Sequence, residues 1–92
     1  PEAELRKLAK EGTPAGRVAA MTLLHRRGSD PGGLDDPHPG VREAAVRLSM
    51  KEIPPAMADD EDARVRFAVA ARLGESKDEK ATLELLDALA EQ

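Results

Sequence analysis

Part of this chain is written twice. Residues 31–49 lie over residues 55–73 at a constant offset of 24: Pro31 meets Pro55, Asp35-Asp36 meets Asp59-Asp60, Val41-Arg42 meets Val65-Arg66, and Ala44 meets Ala68. A weaker copy precedes them at an offset of 25, where Thr13-Pro14 meets His38-Pro39 and Arg17 meets Arg42. Short units of this length cannot hide an apolar face alone. They do so by stacking on the next copy, so recurrence at a fixed period restricts the fold more than any single residue does.

Each copy opens with helix-start chemistry. Thr13, His38 and Asp62 stand at the N-cap position, where a side-chain acceptor can take one of the first free backbone N–H groups. Pro14 and Pro39 follow at the one helical position that loses nothing by lacking an N–H. The apolar residues then fall at spacings of three and four: Val41, Ala44, Ala45, Leu48 in one copy and Val65, Ala68, Val69, Leu73 in the next. That spacing predicts one buried stripe per helix. Gly28 and Gly74 are placed as helix stops. Pro54-Pro55 forbids a continuing α-helix, and the short Pro55–Asp59 stretch suits a tight 3₁₀ turn. Residues 29–36 read as a looser connection.

The ends differ from the middle. Residues 2–11 predict an amphipathic helix with Leu5, Leu8 and Ala9 inward. Residues 77–91 predict a second end helix, opened by a Ser76–Glu79 capping box, with Ala81, Leu85, Leu86, Leu89 and Ala90 on its buried side. The same leucines could instead pair two such helices. The expected organisation is a single helical-repeat domain over 1–92: an N-terminal cap helix (1–12), a degenerate repeat (13–28), two repeats (29–52 and 53–75) and a C-terminal cap helix (76–92).

Composition narrows the function. The chain has one Phe and no Trp or Tyr, so Ala, Leu and Val fill the interior; these let helix axes approach closely and give no aromatic ligand pocket. Without cysteine, thiolate catalysis, disulfides and cysteinyl zinc or iron–sulfur sites are excluded. A net charge of −4 argues against general affinity for nucleic acid. The sequence contains no membrane-spanning apolar run and no secretory signal pattern. Together these point to a cytoplasmic protein.

The Asp-Asp-Pro-His-Pro-Gly-Val-Arg-Glu-Ala-Ala-Val-Arg-Leu segment (35–48) and its partner at 59–73 resemble the second-helix signature of HEAT-like repeats. The period of 24, with Pro-Pro-Ala-Met-Ala in place of a full first helix, is similar also to the leucine-rich variant repeat, whose α-helices alternate with 3₁₀ helices in a superhelix. The resemblance covers about residues 31–74. It implies an all-α, short right-handed alpha-solenoid with a helical cap at each end. The iron–sulfur cluster of the best-known leucine-rich variant protein does not carry over, since this chain lacks the cysteines to hold one.

In HEAT-like repeats, aspartates and arginines placed like Asp36, Asp60, Arg42 and Arg66 form a ladder between units, and the resemblance implies that structural role here. A carboxylate at a helix start meets free N–H groups and the positive end of the helix dipole, and a guanidinium can bridge it with paired hydrogen bonds. Arg42, Arg47, Arg66 and Arg72 recur on the repeat helices and form a candidate partner-binding face. Stacked in register they would make a basic stripe able to meet phosphate or an acidic protein. The run Asp59–Asp62 lacks the ligand alternation and glycine of an EF-hand loop. His25 and His38 have no second histidine at zinc-ligand spacing, Gly32-Gly33 is a turn and not a phosphate cradle, and Ser29, Ser49 and Ser76 have no base partner. No catalytic residue, cofactor or metal is expected. The expected function is a protein-interaction or scaffold module, with a nucleic-acid-associated module as the alternative and no membrane partner.

Overall fold

The computed structural model describes residues 1–90 of the 92-residue chain, the side chain of Ser76 apart. The described residues are all helical or connecting. Helix α1 spans Glu2–Glu11, α2 Pro14–Arg26, α3 Pro39–Leu48 and α4 Ala63–Ala90, with a 3₁₀ helix over Pro55–Asp59 between α3 and α4.

The helix starts follow from their first residues. Thr13 Oγ1 accepts a hydrogen bond from the Gly16 N–H at 3.1 Å, and Pro14 occupies the first turn. His38 Nδ1 accepts from the Gly40 N–H at 3.0 Å, with Pro39 in the first turn of α3. Asp62 Oδ1 accepts from the Arg64 N–H at 2.8 Å at the start of α4. Helix α1 ends at Gly12, whose N–H donates to Leu8 O at 3.0 Å. Only Gly12 and Thr13 separate it from α2, so the two pack as a tight hairpin. Helix α2 ends through Gly28 in the left-handed region (φ 81°), with its N–H donating to His25 O and that of Ser29 to Leu24 O, as helix C-termini commonly do.

Packing runs strictly down the chain. Among the described residues α1 packs on α2, α2 on α3, α3 on α4, and α4 also on the 3₁₀ helix; no helix touches one further along. The core has two clusters. Ala9, Ala20, Met21, Leu24, Val41, Ala44 and Ala45 join α1, α2 and α3. Val46 of α3 joins Val65, Ala68 and Val69 of α4, with Ile53 and Met57 against them. Leu34 touches both. Helix α3 therefore offers adjacent faces to its two neighbours: Val41, Ala44 and Ala45 look back, and Val46 looks forward. Val41 and Val65, 24 positions apart, are both fully buried at the first turn of their helices. The alanines between them let the axes come close.

The connection over 29–36 holds no helix. Gly32 and Gly33 take positive φ (71° and 87°), which a 3₁₀ turn excludes. So among the described residues a 3₁₀ helix stands between α-helices once, at 55–59. Asp30 fixes this connection by accepting from the Gly32 N–H (3.2 Å) and the Met50 N–H (2.8 Å). Gly33 has a second role. A Cβ there would lie 3.0 Å from Met21 Cε and 3.4 Å from Ala45 Cβ, whereas one at Gly32 would meet nothing within 4 Å. Both positions carry the cost of positive φ for an L-residue, about 1–2 kcal/mol. Gly33→Ala adds crowding against Met21 in the core, so it is expected to lower the melting temperature further than Gly32→Ala; equal losses would show that the close packing at Gly33 contributes nothing.

The C-terminal part differs from the sequence expectation. Gly74 does not stop a helix: α4 continues through it from Ala63 to Ala90. One glycine costs a helix interior only about 1 kcal/mol, and the helix formers on both sides outweigh it. The side chain of Ser76, and with it the expected capping box, lies outside the described residues, as do residues 91 and 92 of the expected cap helix. Ala81, Leu85, Leu86, Leu89 and Ala90 do not form a buried face. All are exposed, because this half of α4 extends past the preceding helices and has nothing to fold back upon. The long dimension of the molecule, 53 Å against 33 and 16 Å, reflects that projection.

Candidate functional site

The strongest electrostatic feature is a series of arginine–aspartate contacts that each cross from one helix to the entry of the next. Arg17 on α2 reaches Asp36, ahead of α3: its Nη2 donates to Asp36 Oδ1 at 2.9 Å. Its Nε also sits 2.9 Å from Asp36 Oδ2, a charge contact without an aligned N–H. Arg42 on α3 reaches Asp60, ahead of α4, with both prongs: Nε donates to Oδ2 at 3.0 Å and Nη2 to Oδ1 at 3.1 Å. Both side chains of each pair are largely removed from solvent, between 9% and 14% exposed. Paired, charge-assisted bonds of this kind are stronger than neutral ones.

Each aspartate also shapes its own helix entry. Asp36 Oδ1 accepts from the His38 N–H and Asp60 Oδ1 from the Asp62 N–H, both at 2.9 Å. Such side-chain turns hold the N-cap residue in place. The arginines are anchored at their other ends as well. Arg17 Nη1 donates to Gly12 O (2.7 Å), Arg42 Nη1 to Asp36 O (2.9 Å) and Arg66 Nη1 to Asp60 O (2.7 Å). Three arginines thus make the same backbone contact at the foot of their own helix.

The third rung differs. Arg66 makes the backbone contact, but among the described residues no carboxylate lies within ion-pair distance of it. Its backbone contact matches those of Arg17 and Arg42, but no aspartate at a following helix entry meets it among the described residues. The helix face beside it is open in the same way. Met21 and Val46, at matching positions of α2 and α3, are fully buried. Ala70, which corresponds to them on α4, is exposed, beside Phe67 at 74% exposure.

Titration follows the geometry. The hydrogen bonds from the Arg42 guanidinium, then that from the Asp62 N–H, hold the Asp60 carboxyl below the usual carboxylate value, and the same pair raises Arg42. Asp62 is likewise lowered, chiefly by the Arg64 side chain and then by the Arg64 N–H. These are groups fixed in their charged forms, the opposite of what proton transfer near neutral pH requires.

Of the sequence candidates, the structure brings Arg42 to Asp60, gives Asp36 to Arg17, and leaves Arg66 on a backbone carbonyl. The other arginines do not line up as one free stripe. Arg72 is turned into the chain, donating to Arg47 O (3.0 Å) and Ser49 O (3.1 Å) at the C-terminus of α3. Arg47 is exposed and sits 3.7 Å from Glu43 on its own helix. His25 Nδ1 lies 3.0 Å from Leu48 O, so the end of α3 is capped from both neighbouring helices. Sequence reasoning did not assign Arg17 to the ladder, although its alignment with Arg42 at the offset of 25 was the signal for it. The caps from His25 and Arg72 have no motif and could not be found that way. Among the described residues no group of three His, Asp or Glu is placed to hold a metal ion, and no helix is long and apolar enough to cross a membrane.

No family model, no curated protein and no solved structure matches the chain.

Proposed function

We propose that this chain is a non-catalytic protein-interaction module of the helical-repeat kind, a short alpha-solenoid akin to HEAT-like or leucine-rich variant repeats. The observation that carries this reading is the open third rung. Two rungs of one pattern are filled by the following unit, and the third presents Arg66 beside exposed Phe67, Ala70 and Leu73. A surface that recurs twice as an interface and a third time uncovered is suited to take a helix from another protein molecule. Contiguous exposed apolar surface with a charge at its edge is the usual form of such sites. The nucleic-acid alternative draws less support, since Arg42 and Arg72 are committed within the chain and do not face outward.

Phe67→Glu tests the reading. Phe67 is three-quarters exposed, so the variant is expected to keep the helical circular dichroism and melting temperature of the parent. Its capture of protein partners on an affinity column is expected to disappear. Unchanged capture, or a salt-sensitive gel shift with nucleic acid in place of protein capture, would overturn the reading.

A further inference from the structure

The aligned helix entries use three different acceptors, Thr13, His38 and Asp62, and of these only the histidine can gain a proton near neutral pH. We infer that His38 is a proton-sensitive cap: it holds the entry of α3 while its imidazole is neutral and releases it when the ring is protonated.

The hydrogen-bond partner carries the argument. At His38 the partner is the Gly40 N–H, 3.0 Å from Nδ1. A backbone N–H only donates, so Nδ1 must keep its lone pair and the ring proton must sit on Nε2. A second proton, on Nδ1, would set two donors against each other. It would also place a cation at the positive end of the α3 dipole. At the other end of the same helix the geometry is reversed. His25 Nδ1 lies 3.0 Å from Leu48 O, and a carbonyl only accepts, so there Nδ1 carries the proton. That bond survives protonation of the ring, and a cation is favourable at a helix C-terminus. The chain's two histidines thus hold the two ends of α3 in opposite tautomers, and only His38 must be neutral to do so.

The surroundings of His38 do not compensate an imidazolium. From α2, the uncharged Pro14, Ala15 and Val18 share its hollow. From α4, Arg64 Nη1 comes within 4.0 Å of the point where a Cβ on Gly40 would stand, and that point is 3.2 Å from His38 Nδ1. Arg42 Nη1 donates to Pro37 O at 3.1 Å. The carboxylates around the entry are already engaged: Asp36, which accepts the His38 backbone N–H, by Arg17, Asp62 by Arg64, and Glu43 of α3 by Arg47. Among the described residues none is within ion-pair distance of His38. The neighbouring entries do not change over the same range, since Thr13 has no charge to gain and the Asp62 carboxyl is held below its ordinary value by Arg64. Because α3 is the helix that packs on both α2 and α4, loosening its entry acts on both contacts.

The experiment compares the full chain with His38→Asn, which keeps a strong cap that has no proton to gain. Thermal melts are taken at about pH 8 and about pH 5.5, either side of the ordinary histidine value. All other titrating groups are common to the two proteins. On acidification the parent should fall relative to the variant by about 4–8 °C, the effect of one helix cap in a domain of this size. A second measurement needs no variant. In ¹⁵N NMR of the parent at about pH 8, the ring proton of His38 should sit on Nε2 and that of His25 on Nδ1, and the Gly40 N–H signal should move with the His38 ring as the pH falls. The same gap in melting temperature at both pH values, a His38 ring protonated on Nδ1 at the higher pH, or a Gly40 N–H that does not follow the ring would each overturn the inference.

Discussion

Replacing Leu24 by Ala is expected to lower the melting temperature by about 10 °C or more. Leu24 is fully buried where α1, α2 and α3 meet, and truncating a buried leucine costs about 2–5 kcal/mol, the upper values applying where neighbours cannot close the gap. The other buried members of its cluster are Met21 and the short side chains Ala9, Ala20, Val41, Ala44 and Ala45, the latter with little reach to fill a void. The whole domain, at about 0.05–0.15 kcal/mol per residue, has little to spare, and each kcal/mol moves the midpoint of a domain this size by about 4–8 °C. Leu23→Ala is the control. Leu23 is 46% exposed, and its loss should move the midpoint far less. Thermal melts followed by circular dichroism distinguish the two; comparable drops would mean that the burial pattern between α1 and α3 is misassigned.

The second large effect is expected at Asp60. Asp60→Ala removes both hydrogen bonds to Arg42 and the one from the Asp62 N–H, leaving a mostly covered guanidinium without its carboxylate. Removing one partner of such a pair is more harmful than removing an exposed charge, since the remaining charge stays desolvated. The neighbouring Asp59 is exposed, so Asp59→Ala should leave stability close to the parent's. The pH dependence has a definite sign. A carboxyl whose folded pKa is depressed contributes stability above its unfolded value, 3.8 for Asp60 and Asp62, and that contribution is lost as pH falls through the lower folded value. The parent should therefore lose more stability than Asp60→Ala when taken from pH 5 to below the usual carboxylate range. Parallel loss in both proteins would mean that Asp60 is not held by Arg42 in solution.

How far the sequence reached is best seen in particular residues. Val41 and Val65 were recognisable as buried because both helix periodicity and the 24-residue offset point to them. The 3₁₀ turn at 55–59 was legible from Pro54-Pro55, where the backbone has few choices. The entries at Thr13, His38 and Asp62 were legible because capping is local chemistry. Two features were not. Gly74 resembled a stop, but whether a lone glycine ends a helix depends on what the following residues pack against, and that is not local. Leu8, Leu73, Leu85, Leu86 and Leu89 resembled buried positions for the same reason, yet all five are exposed: spacing shows that residues share a stripe, not that the stripe is covered. At the ladder, residue types and spacing suggested aspartate meeting arginine, while only the fold showed that Asp36 belongs to Arg17 and that Arg66 is left over.

The idea underlying both the fold and the proposed site is that Arg17 and Arg42 each grip the aspartate at the entry of the following helix and so hold consecutive helices together. A double-mutant cycle in urea on Arg42→Ala and Asp60→Ala tests it most directly. The double variant should lose distinctly less stability than the two single losses added, because the second change removes a group already stranded by the first. Arg17→Ala combined with Asp60→Ala, which pairs groups from different rungs, should give additive losses. Additivity for Arg42 with Asp60, or equal coupling in the two cycles, would contradict the ladder.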